Sequence, residues 1–322
     1  MNILLRVSKE EGKTSRHIVV LFGLGVVGGS IREHLILHNF KIVFAPFMHW
    51  GNKECFQKDL LGLNNFLMDL FYEKSTVSTS FNIVWAAGKA GFNSSEDDTV
   101  GEWINYSQTV SMFRSNWGYR LSEDSSFYFV SSAGGLFEGQ KIVGHYSQPS
   151  PTRPYGLLKK RQEEILKDDS LPFKRYIYRP SSIYGYIEPS KRMGLIPTLL
   201  FNGIRYAPSR IIGNNNTLRD YISSDDVGDF MCNEILSSTP EATEKPVFLV
   251  SGKPTSILEI KVLIEHIIGR KLFISYDLNQ TNYLDNTFSV GDLPKGLQSV
   301  ELGAGIYRVY SRFFNANKTN TN

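Results

Sequence analysis

The chain has 322 residues, 41% of them hydrophobic and 21% charged, with a formal net charge of +3 at pH 7. This composition suits a chain that buries a large core, and it is too mildly basic, without any Arg/Lys stripe interleaved with aromatics, to point to nucleic acid. The two cysteines, Cys55 and Cys232, lie far apart and in no CxxC or metal-type spacing, so reduced thiols, no metal site and a cytoplasmic setting are expected.

The opening stretch, MNILLRVSKEEGKTSR, holds a short apolar patch but not the order of a signal peptide, and residues 1–16 read as an N-terminal tail. Residues 17–22 (HIVVLF) form a continuous apolar run of the kind buried on both faces of a parallel sheet. Glycines follow, then helical spacing over 30–38, a strand at 40–45, a helix at 56–72 and a strand at 82–87. A helix is expected at 100–117, a strand at 127–131, a helix at 155–166 and a strand at 174–179 that ends in Pro180. Residues 181–246 are richer in turns. A late strand (247–250) and helix (257–268) follow, and 315–322 read as a frayed polar tail. No apolar run nears the roughly 20 residues of a membrane span. Alternating strands and helices imply parallel strands joined by right-handed crossovers, with the 181–246 insertion as a lobe over their carboxyl ends.

Three clusters carry chemistry. The first is Gly23-Leu24-Gly25-Val26-Val27-Gly28, between a strand and a helix. Glycines there permit a tight turn and let a pyrophosphate approach the backbone at the positive end of the helix. No Asp or Glu ends the second strand (Phe44-Ala45-Pro46-Phe47) to bind an adenosine ribose, nor is an arginine adjacent for a 2′-phosphate; His49 and Lys53 are the nearest polar side chains. NAD and NADP both remain open from these residues. The second cluster is Tyr155-Gly-Leu-Leu-Lys159, whose spacing of four places both side chains on one helical face. A nearby ammonium favours the ionised form of a phenol whose ordinary pKa is about 10, which equips it for proton exchange with an alcohol oxygen. The third is Ser131-Ser132-Ala133-Gly134-Gly135, where a hydroxyl at a strand end can meet a reacting carbonyl.

In this order the three clusters resemble the short-chain dehydrogenase/reductase superfamily, and later segments narrow the resemblance to its extended branch, the NAD-dependent epimerase/dehydratase family. Tyr178-Arg179-Pro180-Ser181-Ser182-Ile183-Tyr184-Gly185 is similar to that family's RPxNVYG stretch. Residues 217–227 (TLRDYISSDDV) are similar to its RDYIHVDDV segment, and Ser251-Gly252 with 255–259 (TSILE) match its next element. The resemblance spans roughly residues 17 to 310. It implies an α/β fold with a doubly wound parallel Rossmann sheet in residues 17–180. A smaller substrate-binding lobe in 181–314 would include returning Rossmann elements near 247–250.

It also implies roles. Tyr155 would be the acid/base and Lys159 would bind the nicotinamide ribose and tune Tyr155. Ser132 would polarise the reacting oxygen, although anchoring on the family's downstream VYG moves that position to Ala133 or Gly134. Gly23, Gly25, Val26, Val27, Gly28, Ala86, Ala87, Gly88, Asn105, Ser131, Arg179, Pro180 and Ser182 would line the cofactor. Ser132, Ser182, Arg219 and Tyr221 would meet substrate, with Arg219 on the diphosphate of a nucleotide sugar. The chain departs from the family pattern at Phe22, in place of the first glycine of GxxGxxG, and at Ser182, in place of an asparagine. No third strand is evident between residues 50 and 81.

Ala133 and Gly134 stand where the family's dehydratases carry an Asp-Glu pair, which disfavours dehydration. The expected activity is a nucleotide-sugar 4-epimerase that uses NAD through a transient 4-keto intermediate. Alternatives are an NAD(P)H-dependent reductase of a 4-keto-sugar nucleotide and a non-catalytic dinucleotide or nucleotide-sugar sensor. A homodimer packing helices 100–117 and 155–166 is a further expectation from the resemblance.

Overall fold

The structure, a computed structural model, describes residues 1–10, 13–72, 78–117, 125–168, 170–171, 173–188, 193–237, 245–277 and 284–319. In chain order its first half comprises β1 (Asn2–Glu10), β2 (Lys13–Phe22), α1 (Val26–Leu37), β3 (Lys41–Phe44), α2 (Lys53–Tyr72), β4 (Ser78–Trp85), α3 (Glu96–Trp117), β5 (Ser126–Val130), α4 (Ala133–Leu136), α5 (Pro154–Leu166) and β6 (Lys174–Pro180). The second half comprises β7 (Ser182–Tyr184), α6 (Leu195–Ile204), β8 (Ser209–Ile212), β9 (Leu218–Ser223), α7 (Ser224–Leu236), β10 (Val247–Leu249), β11 (Pro254–Ser256), α8 (Ile257–Ile268), β12 (Ile274–Asp277) and α9 (Leu302–Thr319).

Seven strands form the central sheet in the order β10-β6-β5-β4-β2-β1-β3. Strands β2, β4, β5, β6 and β10 pair in parallel, whereas β1 runs antiparallel to both its neighbours. The sheet is covered on both faces, as parallel sheets require. Phe56, Leu63, Leu67, Tyr106, Phe113 and Trp117 of α2 and α3 fill one face. Ile31 and Leu35 of α1 and Val227, Phe230 and Met231 of α7 fill the other. At roughly 25 cal/mol per Å² of buried apolar surface, these two layers supply most of the drive to fold.

Residues 1–16 are not a tail. Residues 2–10 form β1 and 13–16 begin β2, with Asn2 opposite Leu21 and Ile3 opposite Phe44. Ile3 and Leu4 are fully buried, one on each face. The apolar patch Ile3-Leu4-Leu5, too short for a signal segment, is a strand buried on both sides. Its pairing with β3 is non-local and left no mark in the local sequence. This inserted strand occupies the slot beside β2, so β3 lies one position further out and forms the sheet edge. Of the polar tail expected at 315–322, residues 315–319 continue α9 to Thr319, and 320–322 lie outside the described residues.

The turn-rich stretch 181–246 contains β7, α6, β8, β9 and α7 among its described residues. With α8 and α9 it builds a third core around Leu199, Leu200, Ile260, Ile264 and Ile306. β9 links the two parts: it pairs in parallel with β7 and leads straight into α7, which packs under the sheet against α1. Where the lobe meets the glycine loop the fit is close. A Cβ on Gly185 would fall 2.0 Å from Ser224 Oγ and 3.2 Å from Val26 Cγ1.

Candidate active site

The glycine loop leaves β2 at Phe22 and turns through Gly23 at φ +87°. A left-handed backbone excludes most side chains, and here space forbids one as well. A Cβ on Gly23 would lie 2.5 Å from the carbonyl carbon of Ala86, and one on Gly28 would lie 2.0 Å from the Gly23 carbonyl oxygen. Ala86 and Ala87, just past the end of β4, are thereby pressed against the loop, with the Ala86 amide donating to the Phe22 carbonyl at 2.8 Å. Gly25 differs: it precedes the first turn of α1, no side chain caps that turn, and a Cβ there would meet nothing within 4 Å. Free first-turn amides beside an open backbone make the cradle a pyrophosphate needs, so a dinucleotide fits these residues. Val26 and Val27 form that first turn.

β5 delivers the second part. Ser132 caps the short helix α4, its Oγ accepting the Gly135 amide at 3.1 Å. A Cβ on Gly135 would stand 2.9 Å from Tyr155 Cε1 and 3.3 Å from Ser132 Oγ. The phenol ring and the serine hydroxyl therefore flank the same glycine, although 22 residues lie between them in the chain, which sequence spacing does not reveal. Lys159, one turn along α5 from Tyr155, is buried with its Nζ 5.8 Å from the Tyr155 ring centroid and 5.3 Å from that of Phe129.

The lobe contributes Arg219 and Tyr221 on β9. Arg219 lies 5.9 Å from the Phe92 ring, as does Arg153, and Phe92 in turn packs 5.8 Å from Tyr155. Burial pulls the Arg219 guanidinium below its ordinary proton affinity, opposed by the neighbouring Tyr221, Glu138 and Asp285. Burial pushes the Tyr221 phenol up, and Arg219 works against that. Arg153 is tethered by Glu138 at 2.7 Å and by the Phe92 carbonyl at 3.1 Å. Two guanidinium groups thus stand near the Phe92 ring, which packs against Tyr155.

Three side chains expected on the cofactor have other partners. Asn105 donates to the Trp50 carbonyl at 2.8 Å and holds the loop after β3. Ser131 donates to Glu163 at 2.6 Å. Arg179 makes a two-pronged pair with Glu163 (2.9 and 2.6 Å) beneath Phe137 and Phe248. Ser131, Arg179 and Glu163 are buried and clamp α5 to the sheet, and breaking such an ion pair by removing one partner costs about 3–5 kcal/mol. Glu163 stands four residues after Lys159 on the sheet-facing side, so helical spacing could have flagged it as a partner. Pro180 pairs with Leu249 at the end of β6, and Ser182 opens β7 opposite Tyr221.

Sequence reasoning also passed over Glu102, Phe92, Arg153 and Glu138. Glu102 stands one turn before Asn105, and only the fold turns it toward Gly88 and Lys159. Among the described residues, no group of three or more His, Cys, Asp or Glu side chains is placed to hold a metal, and no helix is long and apolar enough to cross a membrane.

The same sheet and lobe recur in solved structures. UDP-glucose 4-epimerase of Thermus thermophilus, in complex with NAD, superposes with a TM-score of 0.70 at 16% identity, covering 92% of this chain and 99% of that one. UDP-glucose 4-epimerase of Thermotoga maritima, with UDP-glucose, gives 0.70 at 16% identity over 93% and 99%. The chain shares the fold of these UDP-glucose 4-epimerases. Among curated proteins, one from Methanocaldococcus jannaschii, provisionally named UDP-glucose 4-epimerase, is 25% identical over 316 residues, spanning 94% of this chain and all of that protein. No protein-family model matches the chain. The glycine loop follows β2, Ser132 follows β5, and Tyr155 and Lys159 lie on α5, with the loop and Ser132 at the carboxyl ends of parallel strands, the position expected for ligands in open α/β sheets.

Proposed function

We propose that this protein is an NAD-dependent nucleotide-sugar 4-epimerase. The observation that carries the reading is the convergence of Tyr155 and Ser132 on Gly135, with Lys159 behind the phenol and Arg219 across the cleft. The similarity to the M. jannaschii protein over 94% of this chain and all of that protein supports it, and so do the NAD and UDP-glucose complexes of proteins with this fold.

NAD, when bound, supplies a reversible hydride acceptor. The chain's own residues do the rest. The amides of α1 and the open face of Gly25 bind the pyrophosphate. Tyr155 takes the proton of the sugar's 4-hydroxyl and later returns it, a contribution of about 10²- to 10⁴-fold for a well-placed acid/base. Ser132 hydrogen-bonds the same oxygen and stabilises it as it becomes a ketone. Lys159 holds a positive charge beside the phenol. Arg219 binds the diphosphate of the substrate, leaving the sugar free to present either face at C4. Ala133 and Gly134 offer no acid/base group, so water is retained on the sugar.

The test is twofold. Denaturing the purified protein should release a nicotinamide dinucleotide, and native protein should interconvert UDP-glucose and UDP-galactose without added reductant. A protein that retains no dinucleotide and consumes NAD(P)H with a 4-keto sugar is instead a reductase; one with neither behaviour refutes the reading.

The proposal extends to assembly. A groove of about 440 Å³ lies between α3 and α5, lined by Trp103, Val110, Ile165 and Leu171, with Arg114 paired to Asp168 at its rim. We assign this face to a homodimer contact; a monomer in sedimentation at micromolar concentration would exclude it.

A further inference from the structure

Glu102 occupies a place that neither the glycine loop nor the acid/base residues require. Its side chain, 8% exposed, meets the Lys159 ammonium at 3.4 Å through Oε1. Through Oε2 it accepts the amides of Lys89 (2.9 Å) and Ala90 (3.1 Å), in the loop that continues from β4 past Gly88. Glu102 packs onto Gly88 so closely that a Cβ there would lie 2.9 Å from Oε1 and force the carboxylate to shift. One carboxylate thus joins α3, the loop after β4 and the lysine that stands beside the Tyr155 ring on α5.

Stability alone is a weak reason for this arrangement. Two ions taken out of water gain little over an apolar pair of equal volume. Recognition chemistry gives a stronger one. A ribose carries two neighbouring hydroxyls, each able to donate and to accept. An ammonium only donates and a carboxylate only accepts. Set 3.4 Å apart and buried, the two make a matched pair for a vicinal diol.

We propose that Glu102 is a cofactor-binding residue that, with Lys159, reads the diol of the nicotinamide ribose. This rests on the dinucleotide reading above. Glu102 accepts from the ribose hydroxyls while holding Lys159 in place, and the Lys89 and Ala90 amides fix its orientation.

The test measures binding, not turnover. The protein, freed of retained dinucleotide, is titrated calorimetrically with NAD, with ADP, and with an NAD analogue lacking the 2′-hydroxyl of the nicotinamide ribose. Parent protein should prefer NAD over the analogue. Glu102→Ala, and the isosteric Glu102→Gln should the alanine variant not fold, should bind NAD about 10- to 100-fold more weakly, as expected for a lost charge-assisted hydrogen bond. They should bind ADP within twofold of the parent and lose most of the preference over the analogue. Unchanged NAD affinity, or a weakened affinity with the preference intact, would overturn the role of Glu102. A parent that binds ADP but not NAD, or neither, would instead overturn the dinucleotide reading itself.

Discussion

The Tyr155 ring and the Ser132 hydroxyl meet across Gly135, where an added methyl would sit 2.9 Å from one and 3.3 Å from the other. The absence of a side chain at residue 135 lets α5 approach the end of β5. It also brings the Tyr155 ring close to the Ser132 hydroxyl. Gly135→Ala should therefore displace the phenol while leaving the distant glycine loop intact. We expect turnover to fall by about 10- to 100-fold with dinucleotide retained, because small displacements of catalytic groups carry penalties of this size. Tyr155→Phe should go further, losing about 10²- to 10⁴-fold. Turnover of either variant equal to the parent's would remove Tyr155 from the reaction.

The glycines of the loop should separate by function. Gly25→Ala meets nothing within 4 Å, so the fold should tolerate it and thermal unfolding should stay within a degree or two. NAD binding should weaken at least tenfold, because the new methyl enters the space a pyrophosphate uses. Gly23→Ala combines positive φ with a 2.5 Å clash against Ala86, and should lower stability by about 2 kcal/mol or more. Equal loss of stability in both variants would show that Gly25 is structural.

Asp220 ties the lobe to the sheet. It is 1% exposed and accepts from the Ser181 hydroxyl and from both the amide and the hydroxyl of Ser251. Asp220→Asn places a donor among these donors. Chemical denaturation should show a loss of about 2–4 kcal/mol. A loss below about 0.5 kcal/mol would mean that the cluster rearranges without cost.

Glu265 gives a stability that depends on pH. Burial opposes its charge, but the Leu272 amide and the ammonium groups of Lys271 and Lys261 outweigh this and bring its carboxyl down to about 2. The folded value lies below the ordinary carboxylate value, so the stabilisation is complete above about pH 4.5 and fades as pH falls toward 2. Lys271 is exposed and solvent-screened, which limits the effect to about 1 kcal/mol. Glu265→Gln should be less stable than the parent at pH 7, and the gap in urea midpoints should narrow by pH 3. A gap that stays constant would refute the electrostatic origin.

How much of this was legible beforehand differs by element. The run at 17–22 and the strands at 82–87, 127–131 and 174–179 were readable because parallel strands buried on both faces are apolar throughout. The glycine loop was readable because its backbone demands leave glycines in the chain. β1 was not, since nothing in Ile3-Leu4-Leu5 names a partner at Phe44.

The site divides along the same line. Sequence by itself determined the strand-loop-helix around Gly23, Gly25 and Gly28, the shared helical face of Tyr155 and Lys159, and the absence of acid/base groups at Ala133 and Gly134. These are local properties, set by backbone conformation and helical period. Only the tertiary structure brought Ser132 beside Tyr155 across Gly135, sent Asn105, Ser131 and Arg179 to structural partners, and turned Glu102 onto Lys159. Each of these outcomes depends on which surfaces pack together and which buried charges must find a counter-charge, and that is settled by contacts between residues far apart in the chain.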